Sequence, residues 1–167
     1  MKTLVQGIER LSNWMSWVSA VVLGLMTILI LVEITLWNLF ETTTLIADEY
    51  SAYGLAAIIF LGAGYCLKER GHIRITLVIG FLPKKLSRVI TFIATGITTA
   101  FMGYLWWYLL KMVQATIRYG STSGTLTNTP LWIPQTVMLI GAACFLLQLV
   151  AITFKTYGAI GSGEEVI

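Results

Sequence analysis

Four groups of residues in this 167-residue chain are of types that could do chemistry. Glu33 stands inside the apolar run ILILVEITLW. A carboxylate in lipid is costly and often marks an ion or substrate path. Trp37 follows four residues later, however, so Glu33 can also reach the interface or pair with another helix, and the spacing favours that structural role. Asp48 and Glu49 open the next apolar run, where acidic side chains complement a helix amino terminus. A docking contact at the membrane surface is the sharper alternative for them. His72 is the only histidine and lies among Glu69, Arg70 and Arg74. One histidine supports neither a bis-histidine haem nor a histidine-cluster metal site, so His72 reads as part of a surface polar cluster. Cys66 and Cys144 make no disulfide framework and read as small buried side chains. The chain has no Ser/His/Asp order, no phosphate-binding Gly loop and no pair of catalytic carboxylates, so no enzyme, cofactor or metal is expected.

The elements that must position these residues are membrane helices. The chain is 57% hydrophobic and 11% charged, against about 25% charged in a typical soluble domain. Its mean hydropathy is +0.81. The net charge of +3 sits between apolar blocks rather than on one face, which argues against nucleic acid. No charge occurs from Leu11 to Val32, Tyr50 to Leu67, Val89 to Leu110 or Tyr119 to Phe154. A spanning helix needs about 20 apolar residues, which predicts spans over 14–36, 48–67, 86–110 and 132–154. These blocks are apolar all round, whereas barrel strands alternate. The first is too long for the core of a signal peptide and reads as a permanent span. The expected fold is therefore all-α: a multi-pass four-helix bundle over 14–154, with an arm (1–13), a tail (155–167) and short interfacial helical segments.

Charge sets the orientation. Lys2, Arg10, Lys68, Arg70, Arg74, Lys84, Lys85, Arg88 and Lys155 fall on one side, and only Lys111 and Arg118 on the other. Basic residues favour the cytoplasmic side, which predicts cytoplasmic termini. Trp14, Trp17, Trp37, Trp106, Trp107 and Trp132 suit interfacial anchors. The arm, with Leu4, Val5, Ile8 and Leu11 on one stripe, suits an amphipathic helix. The apolar stretch 72–82 is too short to span and is expected to lie flat on the inner surface or tuck against other helices, before Pro83 starts span three. Lys84, Lys85 and Arg88 are placed to meet lipid head groups. Ala52 and Ala56, with Gly64, make one small-residue face, and Gly96 and Ala100 another; such faces let helices approach closely. The loop 119–129, rich in Gly, Ser, Thr and Asn, is expected to be irregular.

The segment KERGHIRITLVIGFLPKKLSRVI, Lys68 to Ile90, resembles the inner loop of the small permease subunit of tripartite ATP-independent periplasmic (TRAP) transporters. Its Gly71-His72-Ile73-Arg74 and Leu82-Pro83 elements carry the likeness. Asp48 and Glu49 before span two, and PLWIPQ from Pro130 to Gln135, including Trp132, extend it. Thr76 departs from the family, which often has an acidic residue near that place. The resemblance implies a non-catalytic scaffold paired with a large, elevator-type permease in the bacterial inner membrane. It also implies an organic acid delivered by a periplasmic binding protein and uptake driven by an ion gradient, commonly sodium. Arg70, Gly71, His72, Arg74, Asp48, Glu49, Ala52, Ala56 and Trp132 are the expected assembly contacts. The competing reading is a self-sufficient, proton-coupled multidrug-type exporter acting through Glu33. A membrane anchor for a redox enzyme is a third, disfavoured by the single histidine.

Overall fold

The computed structural model describes residues 2–69 and 83–162, and they form four helices. These are α1 (Lys2–Phe40), α2 (Ala47–Lys68), α3 (Lys84–Tyr119) and α4 (Trp132–Ser162). Each is long and apolar enough to cross a membrane. The stretch 72–82 and the expected contacts Arg70, Gly71, His72 and Arg74 lie outside the described residues. Lys84, Lys85 and Arg88 fall in the first turns of α3, and their side chains lie outside the description.

Residues 2–13 are helical and run without a break into the first span, so α1 is 39 residues long. At a rise of 1.5 Å per residue that is about 58 Å, well beyond the hydrocarbon core. No proline interrupts it. Ser12 and Asn13 are types that could cap a new helix, but their side chains are engaged elsewhere. The Ser12 hydroxyl is 3.4 Å from Gln148 Oε1, and Lys68 Nζ donates to Asn13 Oδ1 at 2.8 Å. Pro83, extended at φ −55° and ψ 139°, stands just before α3. Gly120 ends α3 in the left-handed region at φ 60°, where a side chain would be strained. Its N–H and that of Ser121 return to Ile117 O and Thr116 O at 3.3 and 3.1 Å, satisfying the last carbonyls. Pro134 lies in the first turn of α4, where its missing N–H costs little.

The four helices are not equivalent. α4 is the hub: it packs against α1, α2 and α3. α1 and α2 pack along each other, and α3 packs extensively on α4 alone. The hub carries more of the buried small and polar residues than any other described helix, including Gly141, Ala142, Cys144, Gln148 and Ala151. Lipid tails are as apolar as leucine, so close van der Waals contact must hold such helices together. The tightest approach is at Gly141, which sits on the peptide bond between Phe60 and Leu61; a Cβ there would lie 2.5 Å from the Phe60 carbonyl carbon. Gly64 faces Ser12 Oγ and the Cys144 backbone, Gly62 faces Ser19 Oγ, and Gly54 faces the Met26 side chain.

The small-residue faces expected from spacing are used unevenly. Gly64 is buried in the seam, Ala56 is half-buried and Ala52 is exposed. A Cβ on Gly96 would meet nothing within 4 Å, and Ala100 is exposed, so these two residues make no close helix approach although Phe92 and Thr99 beside them touch α4. Cys144 is buried, but Cys66 is exposed, contrary to the expectation for both thiols.

Hydroxyls inside the spans return to carbonyls one turn back, as Thr27, Thr91, Thr99 and Thr153 do at 2.7–2.9 Å. Lipid offers these groups no other partner. A few polar groups cross between helices and set their register. Ser19 donates to Ile58 O at 3.1 Å, Thr99 and Thr153 are 3.0 Å apart, and Trp106 Nε1 donates to Leu139 O at 3.3 Å. Ser12 and Gln148 are 1% and 3% exposed. Ser12→Ala should therefore strand the Gln148 amide and cost about 1 kcal/mol. A lower melting temperature in detergent is the readout.

Candidate functional site

The polar chemistry collects at the two ends of the bundle. One end carries Trp37, Ala47, Tyr119 and Trp132, and is rich in threonine. There, Glu33 does not face a channel. Its carboxylate accepts from the Thr43 and Thr44 hydroxyls and, at 3.2 Å, from the Thr44 N–H. The loop 41–46 must turn sharply between α1 and α2, with Glu41 and Leu45 in the left-handed region at φ 48° and 59°. Non-glycine residues rarely adopt that conformation. Glu33 over-determines the turn by binding consecutive hydroxyls and an N–H of the same loop, and the Leu45 N–H adds a bond to Thr43 Oγ1 at 3.2 Å.

Glu49 does the equivalent for the second loop. It accepts from the Tyr53 hydroxyl at 2.8 Å and from the hydroxyls of Thr125 and Thr127. The loop expected to be irregular is thereby organised. Thr122 and Pro130 form an isolated antiparallel bridge, the Ser123 N–H reaches Thr129 O at 2.8 Å, and the Thr129 N–H reaches Ser123 Oγ at 3.0 Å. Asp48 stands beside Glu49 but is exposed, with no side-chain partner among the described residues. Trp132 opens α4 and is 44% exposed. Lys111 lies over the rings of Trp107 and Tyr108, 5.4 and 5.8 Å from their centroids, which suits an interfacial anchor. Trp106, expected as another anchor, instead turns inward to α4.

The opposite, basic end is tied by ion pairs and amides. Lys155 reaches Glu9 at 2.8 Å and Lys68 reaches Glu69 at 3.1 Å. The first contact brings the start of α1 and the end of α4 together, so both lie on the same side of the membrane. Between the two ends, the described spans present no charged residue to each other, and no group of three metal-binding side chains occurs among the described residues. The arrangement can stiffen loops and hold helices in register.

Spacing alone missed Ser12, Gln148 and Gly141. Gln148 carried a usable signal, a lone amide inside FLLQLVA, and Gly141 opened the small run GAAC. Ser12 carried none, because a serine near a helix start reads as a cap.

A family model described as tripartite ATP-independent periplasmic transporters, DctQ component, matches residues 26–157. No curated protein and no solved structure matches the chain. The matched stretch begins within α1 and runs on to Tyr157 in α4, including both glutamate-pinned loops. A four-span membrane protein with this architecture, matched over most of its length, belongs to the DctQ family of small permease subunits of TRAP transporters, multi-pass proteins of the inner membrane.

Proposed function

We propose that the chain is the non-catalytic scaffold of an ion-coupled secondary transporter. Its large permease partner binds and moves the solute, an organic acid handed over by a periplasmic binding protein. Sodium is the proposed coupling ion, as the family resemblance implies. The basic end is cytoplasmic, following the bias of Lys and Arg to that side. Arg70, Gly71, His72 and Arg74 contribute assembly contacts there, and Lys84, Lys85 and Arg88 meet lipid head groups. At the periplasmic end Asp48 and Trp132 are exposed and free to meet a partner, with Ala52 on the same helix as Asp48. Ala56 supports the seam. Glu49 acts indirectly, by shaping the loop beside them.

The observation that carries the scaffold reading is the state of Glu33. The carboxylate set deepest in an apolar run is consumed by its own loop rather than offered to a path across the membrane. A self-sufficient exporter would need that group accessible from both sides in turn.

Extraction of the carboxyl-terminally tagged chain from native membranes in mild detergent tests the pairing. A stoichiometric, much larger multi-span protein should co-purify. A lone homodimer would contradict the proposal, as would solute movement by the small subunit alone in liposomes.

A further inference from the structure

At the basic end a pocket of about 400 Å³ opens between α1 and α2. It is lined by Asn13, Ser16, Trp17 and Ala20 from α1 and by Tyr65 and Lys68 from α2. A second space of about 320 Å³ further along the same seam is lined almost wholly by apolar side chains such as Val22, Leu25 and Leu29, whereas this one mixes polar groups with apolar wall. Lys68 has three N–H donors. Asn13 Oδ1 and Glu69 take two of them, at 2.8 and 3.1 Å, and one is left. The ammonium also lies 5.4 Å from the Tyr65 ring centroid, which holds it over the pocket wall. The Ser16 hydroxyl, the Tyr65 hydroxyl and the Trp17 indole N–H make no hydrogen bond among the described residues. The Lys68 ammonium and the Trp17 indole offer donors only, and the Ser16 and Tyr65 hydroxyls can rotate to donate to an anion.

Its depth is that of the membrane surface. Trp14 and Trp17 are 72% and 73% exposed on α1, as interfacial tryptophans are. Ala20 leads from the pocket into the apolar part of the helix. Arg10 lies one turn below Asn13 on the same face of α1 and is exposed, with no ion pair among the described residues. Lys68 and Arg10 bring two positive charges and Glu69 removes one. The balance suits a monoanionic phosphodiester better than a dianionic phosphate.

We infer that this α1–α2 pocket binds the head group of an anionic phospholipid, with the phosphodiester against Lys68 and the pocket donors and the acyl chains continuing past Ala20. The site is distinct from the basic residues at the start of α3, because it needs a cavity as well as charge. It does not depend on which solute the transporter carries.

Native mass spectrometry of the purified chain, with the subunits that accompany it, tests this. The probes are phosphatidylglycerol, phosphatidylcholine and inorganic phosphate. One phosphatidylglycerol per chain should be retained, about fivefold over phosphatidylcholine, the discrimination that one basic side chain at a membrane surface provides. Lys68→Ala should remove that preference. Ser16→Leu, which fills the pocket without touching a charge, should lower retention of phosphatidylglycerol to the level of phosphatidylcholine and guards against a folding effect at Lys68. Equal retention of the two lipids by the unmodified protein would overturn the inference. So would displacement of the lipid by millimolar inorganic phosphate, which would assign the pocket to a free anion. Loss on Lys84→Ala/Lys85→Ala with none on Ser16→Leu would also overturn it, by assigning the lipid to the diffuse basic surface.

Discussion

Gly141→Ala is expected to destabilise the subunit by about 3 kcal/mol, at the upper end of what overpacking costs. The added methyl would lie 2.5 Å from the Phe60 carbonyl carbon and 2.6 Å from its oxygen. Both are backbone atoms of a regular helix, so no side chain can swing aside. α2 and α4 must part, and the hub of the bundle loses contact along that seam. About 3 kcal/mol is a factor of more than a hundred in the folded population and a large share of a typical domain's stability. Fluorescence-detected size exclusion after a heating series should show a clear drop in the midpoint. Gly96→Ala supplies the control, because its methyl would enter open space. If both variants melted with the unmodified protein, or if the control fell as far, the packing assignment would be wrong. Gly141→Leu should accumulate poorly or not at all.

The second large effect separates shape from charge at Glu33. Thr43 and Thr44 donate to different oxygens of Glu33; Glu33→Gln keeps one as an acceptor, and its amide N–H can donate to the second threonine hydroxyl, which rotates to accept. Uptake by the complete transporter should stay close to normal. Glu33→Leu removes every acceptor from the loop and leaves those donors unsatisfied beside a turn with two left-handed non-glycine residues. Assembly with the large subunit and uptake should both fall, with faster proteolysis between α1 and α2 as an independent sign of the opened loop. An ion-carrying carboxylate predicts a different series. Glutamine cannot take up and release a proton, so both variants would abolish transport while the glutamine form assembled normally. Measuring uptake and co-purification on the same preparations distinguishes the two.

Much of the architecture was legible in the residues. Charge-free blocks of about 20 residues can only be buried in lipid as helices, because lipid satisfies no backbone polar group. Four such blocks place the two chain ends on one side, and the bias of lysine and arginine suggests which side. The family likeness was also local, carried by the elements around Gly71 to Arg74 and Leu82-Pro83.

Partnership between helices was not legible. Ala52/Ala56 and Gly96/Ala100 have the same spacing as a helix contact, yet Ala52 is exposed and Gly96 meets nothing, while Gly141 carries the tightest approach. Helical periodicity tells which residues share a face, and every span here is apolar on all faces, so nothing in the pattern tells which face meets another helix. The same holds for the polar residues. Glu33 and Glu49 could each be read alone as an ion site, a helix-end charge or a docking contact. Their partners Thr43, Thr44, Thr125 and Thr127 lie in loops, at separations of up to 78 residues. Hydropathy and charge, properties of each residue with its near neighbours, determined that this is a four-span membrane protein. Which glycines are seams and which carboxylates are pins was decided by the tertiary structure, because steric approach and hydrogen bonding act between atoms that only the fold brings within 3 Å.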